Sequence, residues 1–165
     1  SEGNPQGLIS REDVAVSSQT SEANSRNVTL YLPDVQSNQL VPEVRTIVAG
    51  SEVSVINSIV TEIFKTTTNQ NNIYQMVYNQ TARLLSVVIE GETAYLNFSE
   101  GIEGKNATQE QINLCIYGIV NSICRAEEIS SVKLWVKGKD YDAYQKFTKY
   151  NSFLPNENLV QMAEE

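Results

Sequence analysis

The sequence predicts an α+β fold, a small sheet with two helices packed on one of its faces, preceded by an extra hairpin. Three observations carry that expectation. Segments with apolar residues at alternate positions recur along the chain, and two segments with apolar residues three and four apart lie between them. The order is ββ, α, ββ, α, β, then a tail, without a regular run of βαβ units.

Taken in order, VTLYLP alternates Val28, Leu30 and Leu32 against Thr29 and Tyr31, a half-buried strand ended by Pro33. DVQSNQ is a polar turn. LVPEVRTIV, from Leu40 to Val48, is the returning strand, with Pro42 at a place where an edge tolerates a missing amide. In SEVSVINSIVTEIF, Val53, Ile56, Val60, Ile63 and Phe64 share a helical face and Ser51 stands at the N-cap, so the spacing predicts a helix from about Glu52 to Phe64. KTTTNQNN closes it, and IYQMVYNQ (73–80) reads as a short helical turn.

LLSVVIEGETAYLNFS is a second hairpin, with arms from Leu84 to Ile89 and from Thr93 to Phe98 and with Gly91 in the turn. Ala94, Leu96 and Phe98 point inward, Tyr95 and Asn97 the other way. The second helix opens on Thr108 and Gln111, which have capping-box spacing, and its apolar stripe is Ile112, Ile116, Ile119, Val120 and Ile123. Gly118 costs a helix about 1 kcal/mol relative to alanine, so its use there points to a close approach to the sheet. In VKLWVKGK, Val132, Leu134 and Val136 face inward, and Lys133, Trp135 and Lys137 outward.

The ends differ in composition. Residues 1–26, rich in Ser, Glu, Gln and Asn, read as a linker or tether; 27–140 form the domain; 141–165 form a tail. Tyr141, Tyr144, Phe147, Tyr150 and Phe153 recur every three residues, and a short docked amphipathic helix over about Tyr141–Tyr150 is expected.

Composition narrows function. With 12 basic against 20 acidic residues the net charge is −8, which leaves no excess of Lys and Arg for phosphates, so nucleic acid is not an expected partner. Histidine is absent, which excludes Ser-His and Cys-His catalysis and Cys/His zinc sites within one chain. Cys115 and Cys124, nine residues apart on one predicted helix, are turned by about 900° and roughly 13 Å apart along its axis, too far for a disulfide. Both read as small core residues.

Asn97-Phe98-Ser99-Glu100 ends its strand abruptly. No histidine and no Gly-x-Ser-x-Gly elbow accompanies Ser99, so the motif reads as a fold signature in which Gly101 allows the bend. Glu127-Glu128 and Asp140-Tyr141-Asp142 lack the spacing of a calcium loop. No catalytic residue, metal ligand or cofactor is assigned. Four Asn-x-Ser/Thr sequons, at Asn27, Asn79, Asn97 and Asn106, are discounted, one of them lying within a strand. The residues that stand out are on the side of the strands away from the apolar set. Tyr31, Tyr95 and Trp135, with Lys133 and Lys137, make a candidate interaction face for protein or for glycan, unless the first hairpin or the tail folds over it.

Together VTLYLPD, LVPEVRTI, EGETAYLNFSEGI and IVNSICRAEEISSVKLWVKGK resemble the GerMN domain of sporulation and spore-germination proteins, over roughly Asn27 to Lys139. KTTTNQNN stands where that family often has Gly-Pro, and YNQTAR replaces its Pro-rich entry to the central hairpin. The resemblance implies a ring-building-motif-like α+β module without catalytic residues, acting through protein partners in an envelope or sporulation complex, with self-association a possibility. It also implies an extracytoplasmic place on a lipoprotein anchor or single N-terminal span lying outside this sequence. The alternative is a cell-wall glycan-binding domain that uses the aromatic sheet face.

Overall fold

The structure is a computed structural model that describes residues 24–68, 77–148 and 150–162. The expected elements form, in the expected order. Strands β1 (Ser25–Asp34) and β2 (Gln39–Val48) make an antiparallel hairpin paired without interruption from Ser25 opposite Val48 to Asp34 opposite Gln39. Its ladder begins at Ser25, inside the stretch assigned to the tether; residues 1–23 lie outside the described residues.

Helix α1 (Glu52–Thr68) is capped reciprocally: Ser51 Oγ accepts the Ser54 N–H at 3.2 Å, and Ser54 Oγ accepts the Ser51 N–H at 2.9 Å. It outruns the predicted end at Phe64, since neither Gly nor Pro stands in Lys65–Thr68 to stop it. Of the helical turn expected over 73–80, residues 73–76 lie outside the described residues. Val77–Gln80 is not helical; Tyr78 instead bridges to Glu103.

Strands β3 (Leu84–Glu90) and β4 (Thr93–Phe98) form the second hairpin, whose turn places Gly91 at a φ of 60°, where a side chain is disfavoured. Helix α2 (Gln109–Ala126) starts on the complete Thr108–Gln111 capping box. Strand β5 (Ser131–Val136) then pairs parallel with β4. The passage through α2 is therefore one βαβ crossover, which a reading in terms of hairpins does not announce.

The tail corrects its expectation. No helix runs from Tyr141 to Tyr150; the chain makes one 3₁₀ turn, Asp142–Tyr144, then strand β6 (Ser152–Phe153) antiparallel to β5, then a second 3₁₀ turn, Glu157–Leu159. The reason is the spacing of the aromatics. Steps of three stack side chains in a three-residue turn and drift around an α-helix. Accordingly Tyr144 N–H bonds the Tyr141 carbonyl and Phe147 N–H that of Tyr144. Tyr144 and Phe153 are fully buried.

Two sheets result, β1-β2 and β3-β4-β5-β6. One face of the larger sheet (Ala94, Leu96, Phe98, Val132, Leu134, Val136) shares a core with Ile56, Ile59 and Ile63 of α1 and Ile112, Ile116, Ile119 and Ile123 of α2. Val28, Leu30 and Leu32 of the first hairpin enter the same core. Each such buried side chain contributes about 1.5–3 kcal/mol relative to exposure, and this burial holds the two sheets together through the helices.

Candidate interaction surface

The strand ending at Asn97–Glu100 organises one end of the sheet. Asn97 Oδ1 accepts the Gly138 N–H at 2.7 Å, Phe98 is fully buried, and Ser99 exchanges backbone and hydroxyl hydrogen bonds with Arg83. The Glu100 carboxylate accepts from Asn79 Nδ2 at 3.1 Å and from the Thr81 hydroxyl at 2.9 Å. Those two bonds, Asn79's first, hold its pKa below the ordinary value. A Cβ on Gly101 would lie 2.9 Å from the Glu103 carboxylate and from the Tyr141 hydroxyl, which explains the glycine. Next to it the Ile102 N–H donates to the Tyr144 hydroxyl, which donates to Glu103. Burial first, then the Glu103 carboxylate, push that phenol well above its usual range. Each of these hydrogen bonds closes a loop, which supports reading the motif as a fold signature.

Of the carboxylate candidates, Glu127 is engaged in an ion pair with Arg26 at 2.6 Å, and among the described residues no three His, Cys, Asp or Glu side chains gather as a metal site. A cavity of about 490 Å³ beside Glu100, Glu103 and Tyr141 presents two carboxylates already bonded within the loop, Glu100 by Asn79 and Thr81 and Glu103 by the Tyr144 hydroxyl.

The outer side of the larger sheet carries the remaining candidates. Tyr95 stands opposite Lys133, and Asn97 opposite Trp135, on the parallel β4–β5 pair. The Tyr95 and Trp135 rings meet diagonally, centroids 5.3 Å apart and planes at 45°. Tyr95, Lys133 and Trp135 are all half-buried. On the tail, β6 widens the sheet beside β5, with Ser152 opposite Lys133.

Two of the five predicted residues lie elsewhere. Tyr31 is 8% exposed and packs with Leu40 and Leu114, its hydroxyl accepting from Arg125 at 2.9 Å. It sits in the other sheet, where α2 and the tail cover the side of the hairpin that a one-sheet reading leaves open. Lys137 is exposed but past the end of β5, in a turn with φ of 55° where its N–H caps the Phe98 carbonyl; the alternation of the strand no longer applies to it. The structure adds Val88, opposite Tyr95 and 51% exposed, and Leu85, 57% exposed at a β-bulge. Strict alternation along β3 would have turned up Val88; the bulge hides Leu85.

Two antiparallel hairpins, two helices and a parallel β4–β5 junction define a small α+β domain of the GerMN type. The chain belongs to the Germane family, described as sporulation and spore germination, whose model matches residues 29–142. Among solved structures it is similar to the tandem GerMN domains of the sporulation protein GerM from Bacillus subtilis. The TM-score is 0.53 at 17% identity, over 72% of this chain and 41% of that one. It is also similar to the first GerMN domain of the same protein (TM-score 0.50, 18% identity, 71% and 86% covered). A chain described as a candidate lipoprotein from Clostridium perfringens matches at TM-score 0.48 and 16% identity, over 73% and 80%. No curated protein sequence matches.

Proposed function

We propose that this domain is a non-catalytic docking module of a bacterial envelope or sporulation complex. It sits outside the cytoplasm on a lipid anchor or a single span, and it holds protein partners through the outer face of its larger sheet. The observation behind this reading is the Tyr95–Trp135 pair, half-buried on the outer sheet face, with Lys133 opposite Tyr95 and the exposed Val88 on its other side. Aromatic rings that keep solvent contact give a partner large apolar area at low cost in side-chain entropy, and anchors of that kind dominate protein contacts. The family's sporulation role agrees with an assembly function. Among the described residues no helix is long and apolar enough to cross a membrane.

Sedimentation across concentration, with Trp135→Ala and Tyr95→Ala alongside, tests the homotypic form of this reading. Self-association abolished by either substitution supports it; a strict monomer rules out self-assembly by this chain alone and directs attention to other proteins. The same ring pair suits stacking on a wall glycan. Trp135 is the sole tryptophan, so a saturable change in its fluorescence on adding muropeptides would favour that second reading.

A further inference from the structure

The first hairpin leaves a backbone edge open. Tyr31 N–H donates to Ser122 Oγ at 2.8 Å, so this amide points away from β2 and Tyr31–Pro42 is a wide, non-hydrogen-bonded pair. Alternation then turns the N–H and C=O groups of Val44, Thr46 and Val48 away from β1, toward the outer edge of β2. The Leu40 carbonyl, in the same phase, confirms the direction: it accepts the Gln161 N–H at 2.8 Å. No acceptor for the Val44, Thr46 or Val48 N–H appears among the described residues.

Natural edges are blunted by bulges, prolines, inward charges or shortness. This one has no bulge; Pro42 and the Glu43–Arg45 pair on its core-facing side guard it in part, and Arg45 Nη1 reaches the Val44 carbonyl at 3.5 Å. The outward N–H groups from Val44 to Val48 nevertheless stay uncovered among the described residues, with Val44 and Val48 65% and 55% exposed. Beside it a groove of about 260 Å³ separates Thr46–Val48 from Asn57, Ser58, Thr61 and Glu62 of α1. An extended segment already occupies the neighbouring part of the same edge: Val160 bridges Leu40 in parallel before Pro42 interrupts the row of amides.

We propose that the edge of β2 from Val44 to Val48 takes up an extended segment of a partner polypeptide as an added strand, its apolar side chains alternating with basic ones. Apolar side chains would lie against Val44 and Val48. Those of the other phase would point to the polar α1 wall, where Glu62 supplies a carboxylate while Arg45 is paired with Glu43. The net charge of −8 favours a basic strand at longer range. A second copy is a poor occupant. Two-fold pairing of β2 with itself would set both copies of α1 on the same face, over the same groove. This strand-addition site is independent of the Tyr95–Trp135 face.

The test uses the full chain labelled for NMR and a capped hexapeptide alternating lysine with valine. Expected are saturable shifts and slowed hydrogen exchange at Val44, Thr46 and Val48, with a Kd of about 1 mM or below. The same peptide N-methylated at alternate residues should not bind, and one with glutamate for lysine should bind about tenfold more weakly. Thr46→Pro removes one outward amide, and Val44→Lys with Val48→Lys guards the edge while leaving the core untouched; each should weaken binding at least about tenfold. The proposal falls if these amides are already protected without peptide, if no shifts appear, or if binding ignores N-methylation and both variants.

Discussion

The backbone N–H of Tyr31 donates to the hydroxyl of Ser122, 2.8 Å away, and through that bond the free edge of β1 is seated on α2. The same hydroxyl donates back to the Gly118 carbonyl, so both of its roles are filled within the core. Ser122→Ala leaves a buried amide without an acceptor. The expected cost is about 1–3 kcal/mol, read as a lower urea midpoint at unchanged slope. A loss within about 0.5 kcal/mol would mean that the strand can settle elsewhere on the helix.

Gly118 is the second half of that seat. A Cβ there would fall 2.6 Å from the Tyr78 hydroxyl and 2.9 Å from the Tyr31 carbonyl oxygen. Alanine improves helix propensity by about 1 kcal/mol but must displace backbone, a strain of about 1–3 kcal/mol. Gly118→Ala should therefore be destabilising on balance, and the Tyr78 hydroxyl bond to the Cys115 carbonyl should loosen with it. Thermal unfolding decides; a raised midpoint would refute the close approach.

The two cysteines should behave differently toward thiol reagents. Cys115 is fully buried and its thiol is pushed far up by desolvation; Cys124 is partly exposed beside a cavity of about 440 Å³, its pKa raised to about 11 by burial. Thiolate is the reactive form, so native labelling at neutral pH should be slow, with Cys124 modified first and Cys115 only on unfolding. Mass spectrometry of partly alkylated protein would show it, and equal labelling of the two sites would contradict the burial of Cys115.

Stability should fall at both ends of the pH scale for separate reasons. Glu100 has a folded pKa below its unfolded value, so its contribution is complete above that value, about 4.5, and is lost as pH falls through the folded pKa. Tyr78 and Cys115 are raised, so they stabilise fully below about 10.0 and 9.0 and lose their contribution as pH climbs above those values. Urea midpoints for the wild type and Glu100→Gln should differ at pH 6 and converge as pH drops below the range of free carboxylates. A constant gap would assign the loss to packing instead.

Alternation and helical spacing disclosed the order of the elements because each faces a single core. That logic failed at Tyr31. The first hairpin is a sheet of its own, buried on one side by both helices and on the other, at Tyr31 and Leu40, by Leu114 with Leu159 and Val160 of the tail. Tyr95 and Trp135 could be placed on one side by their strand phases, but their contact depends on β4 and β5 being parallel neighbours, a pairing between strands over thirty residues apart. Lys137 was misplaced by a turn of positive φ that a Lys-Gly pair only hints at.

The tail supplies the last prediction. Phe153 is 1% exposed and meets the Tyr117 ring edge-on at 5.7 Å, and Asn151, also fully buried, bonds the Leu134 carbonyl through its amide. Both lie beyond residue 142, where the family match ends. Were the tail only an appendage, Phe153→Ala would cost less than about 1 kcal/mol. As a strand of the sheet with a core side chain, it should cost about 3–5 kcal/mol and lower the thermal midpoint by roughly 6–20 °C. Removal of residues 151–165 should be at least as damaging, since it also strips the Leu134 N–H and C=O of the Asn151 backbone and side-chain groups that satisfy them. Calorimetry on both variants would show whether this chain's domain extends past the boundary its family shares.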